Sequence, residues 1–108
     1  MADKTILLGI DVGSSGTKAV LVDPTTGVVC SASSETALSS KHPGWAEANP
    51  AQWLDNVGIV VADLLSQSCL NASSIGAVAV SGMVPAVVCL DGEGNAVRNA
   101  ILQNDARA

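Results

Sequence analysis

The residues with the clearest chemical potential lie in one stretch near the N-terminus, GIDVGSSGTKAVLVD. Asp11 ends a short apolar run there, and a loop of Gly, Ser and Thr residues leads from it to a lysine. A turn with several backbone N–H groups and hydroxyls forms a nest that suits an anionic oxygen, typically of phosphate. A carboxylate beside it suits hydrated Mg²⁺, which prefers carboxylate, water and phosphate oxygens. The stretch is therefore a candidate phosphate and Mg²⁺ site formed by Asp11, Gly13, Ser14, Ser15, Gly16, Thr17 and Lys18.

Two familiar phosphate motifs do not fit this loop. A P-loop has the pattern G-x-x-x-x-G-K-[ST] and leads into a helix, whereas Gly16, Thr17 and Lys18 lead into a second apolar run typical of a strand. The dinucleotide pattern G-x-G-x-x-G is missing, and it also requires a helix next. A phosphate loop between two strands and an ordinary Gly/Ser hairpin turn both stay open as interpretations of the loop alone.

The apolar pattern around the loop predicts three short strands joined by tight turns. They cover Thr5 to Ile10, Thr17 to Val22, and Val28 to about Thr36, and the segment DPTTG forms the second turn. The residues from Leu38 to Asn49 are predicted to form an irregular loop. Buried strands of this kind require a layer of helix or sheet to cover them.

A helix is predicted after the loop. Asn49 can cap it, Pro50 suits its first position, and Gln52 stands where a capping box has Gln or Glu. Apolar residues then recur at helical spacing as far as Leu65, and the helix is expected to fade near residues 66–68. These apolar residues form one stripe along the helix.

The C-terminal part of the chain is predicted to be mostly extended. Strands are expected over residues 75–80 and 87–90, an extended segment over 96–102, and the start of a helix from Gln103. The element order β-β-β-α-β-β indicates a mixed α/β fold.

Composition excludes several classes of function. The 108 residues carry a net charge of −5 and contain no cluster of Lys and Arg, which argues against nucleic-acid binding and against a basic membrane-surface helix. The longest apolar stretch, from Ile75 to Leu90, is interrupted by Ser81, Gly82 and Pro85 and is too short to span a bilayer cleanly. The N-terminus lacks a secretory pattern, so a soluble cytoplasmic protein is predicted.

Four segments together resemble the FGGY family of carbohydrate kinases, and within it the xylulose kinases. They are GIDVGSSGTKAVLVD, HPGWAEANPAQWLDNV, IGAVAVSGMVPAVVCLDGEGNAV and AILQNDARA, in the family's order and with its usual spacing. The resemblance implies an actin-like ATPase (ribonuclease H-like) fold, with residues 1–108 as the N-terminal part of the N-terminal lobe and the second lobe absent. It also implies phosphorylation of a sugar, ketose or polyol by ATP.

The resemblance assigns roles to individual residues. Asp11 lies near the Mg²⁺, the loop that follows it faces the ATP phosphates, and the sugar contacts fall on Met83, Val84, Pro85, Gln103, Asn104 and Asp105. The family's catalytic base and adenine pocket lie in the second lobe and are not matched here. The chain alone is therefore expected to be inactive, and association into a homodimer is left open.

The chain departs from the family in the predicted sugar turn. Xylulose kinases have a Met-His pair where this chain has Val84 and Pro85, whose side chains donate no hydrogen bond, and Gln103 replaces a frequent Trp. A pocket that hydrogen-bonds a hydroxyl gains much of its discrimination from such donors. A different sugar is one interpretation. A non-catalytic, actin-like nucleotide-binding or assembly module is the alternative function.

Four other residues have structural roles as their simplest interpretation. His42 is expected to anchor a loop, Trp53 to pack on the apolar helix stripe, and Trp45 to pack in a more open position. Glu47 is expected to brace the loop against the start of the helix, where negative charge is favoured.

Overall fold

The computed structural model describes residues 5–107, which form two small sheets and one long helix. In chain order the elements are β1 (Ile6–Val12), β2 (Gly16–Asp23), β3 (Gly27–Glu35), β4 (Leu38–Ser39), β5 (Glu47–Ala48), α1 (Pro50–Ser68), a 3₁₀ turn (Ala72–Ser74), β6 (Ile75–Gly82) and β7 (Ala100–Ile101).

The larger sheet has four strands in the order β3-β2-β1-β6. β1, β2 and β3 form the predicted antiparallel meander, and β6 returns parallel to β1 through α1. The sheet therefore contains both antiparallel and parallel pairs, which confirms the predicted mixed sheet and α/β class. Two parallel strands need a crossover connection, and α1 forms part of it. The smaller sheet has the order β4-β5-β7.

The start of α1 follows the prediction in part. The Asn49 side chain accepts the Ala51 N–H at 3.0 Å, and Pro50 occupies the first turn. The capping-box role of Gln52 is wrong, because its Oε1 accepts the N–H of Ala37 at 3.0 Å instead. Gln52 therefore ties α1 to the chain that leaves β3. The helix ends at Ser68, as the sequence indicates.

The main core lies between α1 and one face of the larger sheet. Val60 and Leu64 of α1 are fully buried against Leu8, Ile10 and Leu21. These positions repeat at a period of about 3.6 on the helix and two on the strands, as an apolar face requires. The helix covers β3, β2 and part of β1, so one face of β1 and β2 is buried and one face of β3 is half-buried.

One buried polar group, Asn56, fastens α1 to the end of β3. Its Nδ2 donates to the carbonyl oxygen of Glu35 at 3.2 Å and to Thr36 Oγ1 at 3.1 Å. Its Oδ1 accepts the hydroxyl of Ser34 at 2.9 Å. A buried amide is stable only when it is hydrogen-bonded, and Asn56 meets that condition.

Three predictions of local structure are wrong. Residues 87–90 form no strand, because only Val87 and Leu90 find partners, in isolated bridges to Ile101 and Ala96. The segment 103–107 forms turns instead of a helix, since its backbone bonds to neighbouring loops. The loop over 38–49 contains the two short strands β4 and β5.

Within residues 5–107, no helix is long and apolar enough to cross a membrane.

Candidate active site

A row of four polar residues crosses one face of the larger sheet. Asp11 on β1 stands opposite Lys18 on β2, which stands opposite Ser33 on β3, and Asp11 also stands opposite Ser81 on β6. All four are exposed and line the same open pocket, which has a volume of about 710 Å³. Residues paired in register project from the same face of a sheet, so the carboxylate, the amine and the two hydroxyls lie on one side.

The row lies on the face opposite α1. The surface beyond it is lined by small apolar residues such as Gly9, Val20 and Ala79, and no element among residues 5–107 covers it. Asp11 and Lys18 have no hydrogen-bond or ion-pair partner within that part of the chain. A carboxylate and an amine that are exposed and unpaired are available to a ligand.

Thr17 does not join this row, which corrects its assignment to the phosphate-facing set. Its side chain is completely buried on the helix side of β2, together with Ala19 and Leu21. Because side chains alternate across a strand, Thr17 and Lys18 point to opposite faces. The Thr17 hydroxyl has no hydrogen-bond partner among the described residues.

The turn between β1 and β2 is a tight hairpin fastened to β3. The N–H of Gly13 donates to the carbonyl oxygen of Gly16 at 2.9 Å, and the N–H of Thr36 donates to that of Ser15 at 3.0 Å. A Cβ at Gly16 would lie 2.8 Å from the Ser34 carbonyl oxygen, so the hairpin and β3 approach each other closely at this glycine. Neither Gly13 nor Gly16 has a positive φ.

The predicted sugar turn follows β6 and is joined directly to β1. The N–H of Met83 donates to the carbonyl oxygen of Val12 at 3.1 Å. Met83 is half-buried, whereas Val84 and Pro85 are exposed, Val84 by 78%. The turn therefore begins beside the polar row and presents two apolar side chains to solvent.

A second small core holds the two predicted sugar segments together. Buried Ala48, Ala100 and Leu102 pack with Met83, Ala86 and Trp53. Val87 and Ile101 exchange two backbone hydrogen bonds, of 2.9 and 3.0 Å. Gln103 and Asn104 follow this core directly and are exposed. The turn and the segment over 103–104 are thus attached to one scaffold.

Trp53 belongs to this second core, as its packing role predicts. It lines a small cavity of about 170 Å³ with Val12, Gly82, Met83 and Ala86. Its indole N–H is buried and has no hydrogen-bond partner among residues 5–107.

Asp105 is held in a network of hydrogen bonds. Its Oδ2 accepts from the N–H of Ala46 at 2.7 Å and from the Arg107 guanidinium at 2.6 Å. Its Oδ1 accepts from the backbone N–H and Nε of Arg107, at 2.9 and 2.8 Å. Both carboxylate oxygens are thus engaged within the protein. The same guanidinium lies 3.7 Å from the centre of the Trp45 ring, and His42 contacts that ring edge-on.

Glu47 joins this network instead of bracing the start of α1, which corrects the sequence-based expectation. It is buried in β5, and its Oε2 accepts from Arg98 and from Arg107, each at 2.6 Å. The pKa of Glu47 lies below its ordinary value, chiefly because of the hydrogen bond from Arg107. The same arginine holds the pKa of Asp105 well below its usual range. Both acids are therefore ionised and fix the C-terminal loop over β5.

Comparisons with known proteins identify the family of this chain. Residues 6–108 match the model of the FGGY family of carbohydrate kinases, N-terminal domain. The chain belongs to the FGGY family. The recognition made from the four sequence segments is confirmed, and the actin-like ATPase fold of its structural neighbours is confirmed with it.

Two curated FGGY relatives are xylulose kinases. The one from Bacillus subtilis is 35% identical over 94% of this chain, and the one from Streptomyces coelicolor is 36% identical over 99%. The crystal structure of xylulose kinase from Rhodospirillum rubrum is 45% identical, covers 94% of the chain and superposes with a TM-score of 0.87. The chain spans 20%, 21% and 21% of these three proteins respectively.

The FGGY fold extends beyond close sequence relatives. Glycerol kinase from Plasmodium falciparum, crystallised with ADP, superposes with a TM-score of 0.79 at 19% identity, over 96% of this chain and 21% of that one. At that identity the likeness concerns the fold alone.

Ser33 and Ser81 are members of the polar row that sequence reasoning missed. Ser33 lies within a predicted strand, and Ser81 lies one residue beyond another. Their alignment with Lys18 and Asp11, however, depends on which residues pair between neighbouring strands. Strand alternation was the available signal, because it separates residues such as Thr17 and Lys18 onto opposite faces.

Proposed function

We propose that this chain supplies the phosphate hairpin and one side of the sugar site of a kinase. The kinase transfers the γ-phosphoryl group of ATP to a hydroxyl of a sugar, ketose or polyol, with a xylulose-like substrate favoured by the named relatives. The observation that carries the proposal is the bond from Met83 to Val12, which sets the sugar turn beside the row of Asp11 and Lys18. Phosphoryl transfer requires this closeness, because it depends mainly on positioning and charge stabilisation.

The residues of the row fit an Mg²⁺–ATP complex. Mg²⁺ in kinases is held by one or two carboxylates with water and phosphate oxygens, and Asp11 offers one exposed carboxylate. Among residues 5–107 no three His, Cys, Asp or Glu side chains cluster in the way an all-protein metal cage requires. Asp11 would hold the metal through water, and the metal would neutralise charge on the phosphates.

The hairpin and Lys18 act on the phosphates in this proposal. Gly13, Ser14, Ser15 and Gly16 lie in the hairpin that joins β1 to β2 next to Asp11 and Lys18, where backbone N–H groups and hydroxyls can meet phosphate oxygens. The Lys18 amine adds a positive charge on the same face as Asp11. In the transfer, the bond from phosphorus to the ADP oxygen breaks and a bond to the sugar oxygen forms. The sugar proton passes to a base outside residues 5–107.

The sugar side of the site is formed by residues of unlike chemistry. Met83, Val84 and Pro85 offer an apolar wall with no side-chain donor, so selection by hydrogen bonds falls to the exposed amides of Gln103 and Asn104. Asp105 uses both of its oxygens within the protein. We therefore assign Asp105 a positioning role, in which it holds the loop that carries the two amides.

The proposal includes a cytoplasmic location, where ATP is available to a sugar kinase. Association into a homodimer stays a prediction.

The test is ADP release by a full-length kinase that contains this chain, with Mg–ATP and a panel of ketopentoses, pentitols, tetritols, glycerol and gluconate. One clear responder supports the kinase and names the substrate. If folded protein binds nucleotide but releases no ADP with any member, the non-catalytic nucleotide-binding module is favoured instead.

A further inference from the structure

Ser81 occupies the point where the predicted phosphate site meets the predicted sugar site. It lies near the end of β6, opposite Asp11, and projects to the same face as Lys18. Its side chain is exposed and lines the open pocket of about 710 Å³. Its hydroxyl has no hydrogen-bond partner among residues 5–107, so no contact within that part of the chain gives it a structural role.

The position of Ser81 in the row distinguishes it from Ser33. Ser33 flanks Lys18 on the far side, at the strand most distant from the sugar turn. Ser81 precedes Met83 by two residues, and the N–H of Met83 is bonded to Val12 of the neighbouring strand. A group bound between the phosphate hairpin and the sugar turn would therefore lie beside Ser81.

The group that must lie between a nucleotide and its acceptor is the phosphoryl group in transit. We propose that the Ser81 hydroxyl donates a hydrogen bond to an oxygen of the γ-phosphoryl group of bound ATP. This inference rests on the proposed kinase function. A hydroxyl bonded to an anionic oxygen forms one of the stronger hydrogen bonds in proteins. Ser81 keeps its own proton, because the proton released by the sugar passes to the base.

The assignment predicts that Ser81 distinguishes ATP from ADP. In a full-length kinase that contains this chain, we expect Ser81→Ala to weaken binding of the Mg²⁺ complex of a non-hydrolysable ATP analogue by about tenfold. The dissociation constant of Mg–ADP should stay unchanged, since ADP lacks the γ-phosphoryl group. Titration calorimetry measures both constants without any turnover. The kcat for sugar phosphorylation should fall as well, and Ser81→Thr should recover part of both losses because it keeps the hydroxyl.

Ser31→Ala is the matched control. Ser31 is an exposed serine that lines the same pocket, but it stands opposite Val20 and outside the row of four polar residues. The control variant should bind both nucleotides as the wild type does.

Each outcome separates this inference from the proposed function. Equal weakening of both nucleotides by Ser81→Ala, or weakening of neither, overturns the role of Ser81 even when the wild type phosphorylates a sugar. A selective loss of the ATP analogue supports it. A wild type that binds nucleotide but phosphorylates no sugar contradicts the kinase function. In that case, the effect of Ser81→Ala on the dissociation constants of the ATP analogue and of ADP still decides whether Ser81 contacts the γ-phosphoryl group. A folded wild type that binds neither nucleotide overturns both.

Discussion

The backbone N–H of Met83 donates a hydrogen bond of 3.1 Å to the carbonyl oxygen of Val12, the residue that follows Asp11 on β1. This bond joins the turn after β6 to the strand that carries the site's exposed carboxylate. It involves only backbone atoms, so it is indifferent to the side chains at either position. The side chains of the turn can therefore change while its place beside the hairpin between β1 and β2 is kept.

Asp11→Asn is expected to lower kcat in a full-length kinase by more than about a hundredfold, because a neutral amide loses the charge that organises the metal. Folding should be unaffected, since Asp11 is exposed and makes no hydrogen bond within residues 5–107. Turnover as a function of Mg²⁺ concentration, with circular dichroism, measures both effects. Asp55→Asn, an exposed acid on α1, is the matched control. Near-normal turnover by the Asp11 variant would refute its assignment.

Gly16→Ala is expected to destabilise the protein by about 1–3 kcal/mol, because the new Cβ would lie 2.8 Å from the Ser34 carbonyl oxygen. The nearest atoms belong to the backbone of Ser34 and Glu35, so the clash is difficult to relieve. Gly58→Ala on α1 is the control, since a Cβ there meets nothing within 4 Å and alanine favours a helix by about 1 kcal/mol. Thermal unfolding should show shifts of opposite sign. Two variants of equal stability would contradict the close approach.

Local chemistry explains which elements could be predicted from the sequence. The three-strand meander depends on short apolar runs and tight turns, and it is confirmed. The start of α1 depends on its neighbours Asn49 and Pro50, whose predicted roles are confirmed, whereas that of Gln52 is wrong. The strand predicted over 87–90 is wrong because an apolar β-type run forms a strand only where a partner strand is available, and two residues alone find partners there.

The candidate site is less predictable because it depends on register and on distant contacts. Asp11 and Lys18 follow from the motif, but their alignment with Ser81 requires the pairing of β1 with β6 across the whole of α1. Glu47 was expected to act near the start of α1, yet it bonds Arg98 and Arg107, 51 and 60 residues away in the chain. No local pattern predicts which distant arginines meet a buried acid.

The network of Glu47 and Asp105 predicts a loss of stability in acid. Arg107 lowers the pKa of both carboxyl groups in the folded protein, so their contribution is complete above the ordinary carboxyl pKa of about 4. It is lost as pH falls below that value towards the lower folded pKa values. We expect the Tm to fall from about pH 4 downwards. The Asp105→Asn variant should have a lower Tm at neutral pH and a smaller decline in acid.

The matched control for this pH dependence is Asp63→Asn, an exposed acid on α1. It should keep the decline of the wild type. If Asp105→Asn declined as steeply as that control, the network would not be the source of the acid sensitivity.

Pro85→His alone is not expected to create efficient phosphorylation of xylulose. It introduces one hydrogen-bond donor to an exposed turn, but Val84 is shorter than the family's Met and Gln103 still replaces the family's frequent Trp. Because Met83 and Ala86 pack on the same small core as Leu102, the turn and the segment over 103–104 share one scaffold and would have to change together. The measurement is kcat/KM for xylulose in a full-length kinase, with Val84→Met combined with Pro85→His as the comparison. A large gain from the single substitution would show that position 85 alone sets the choice of sugar.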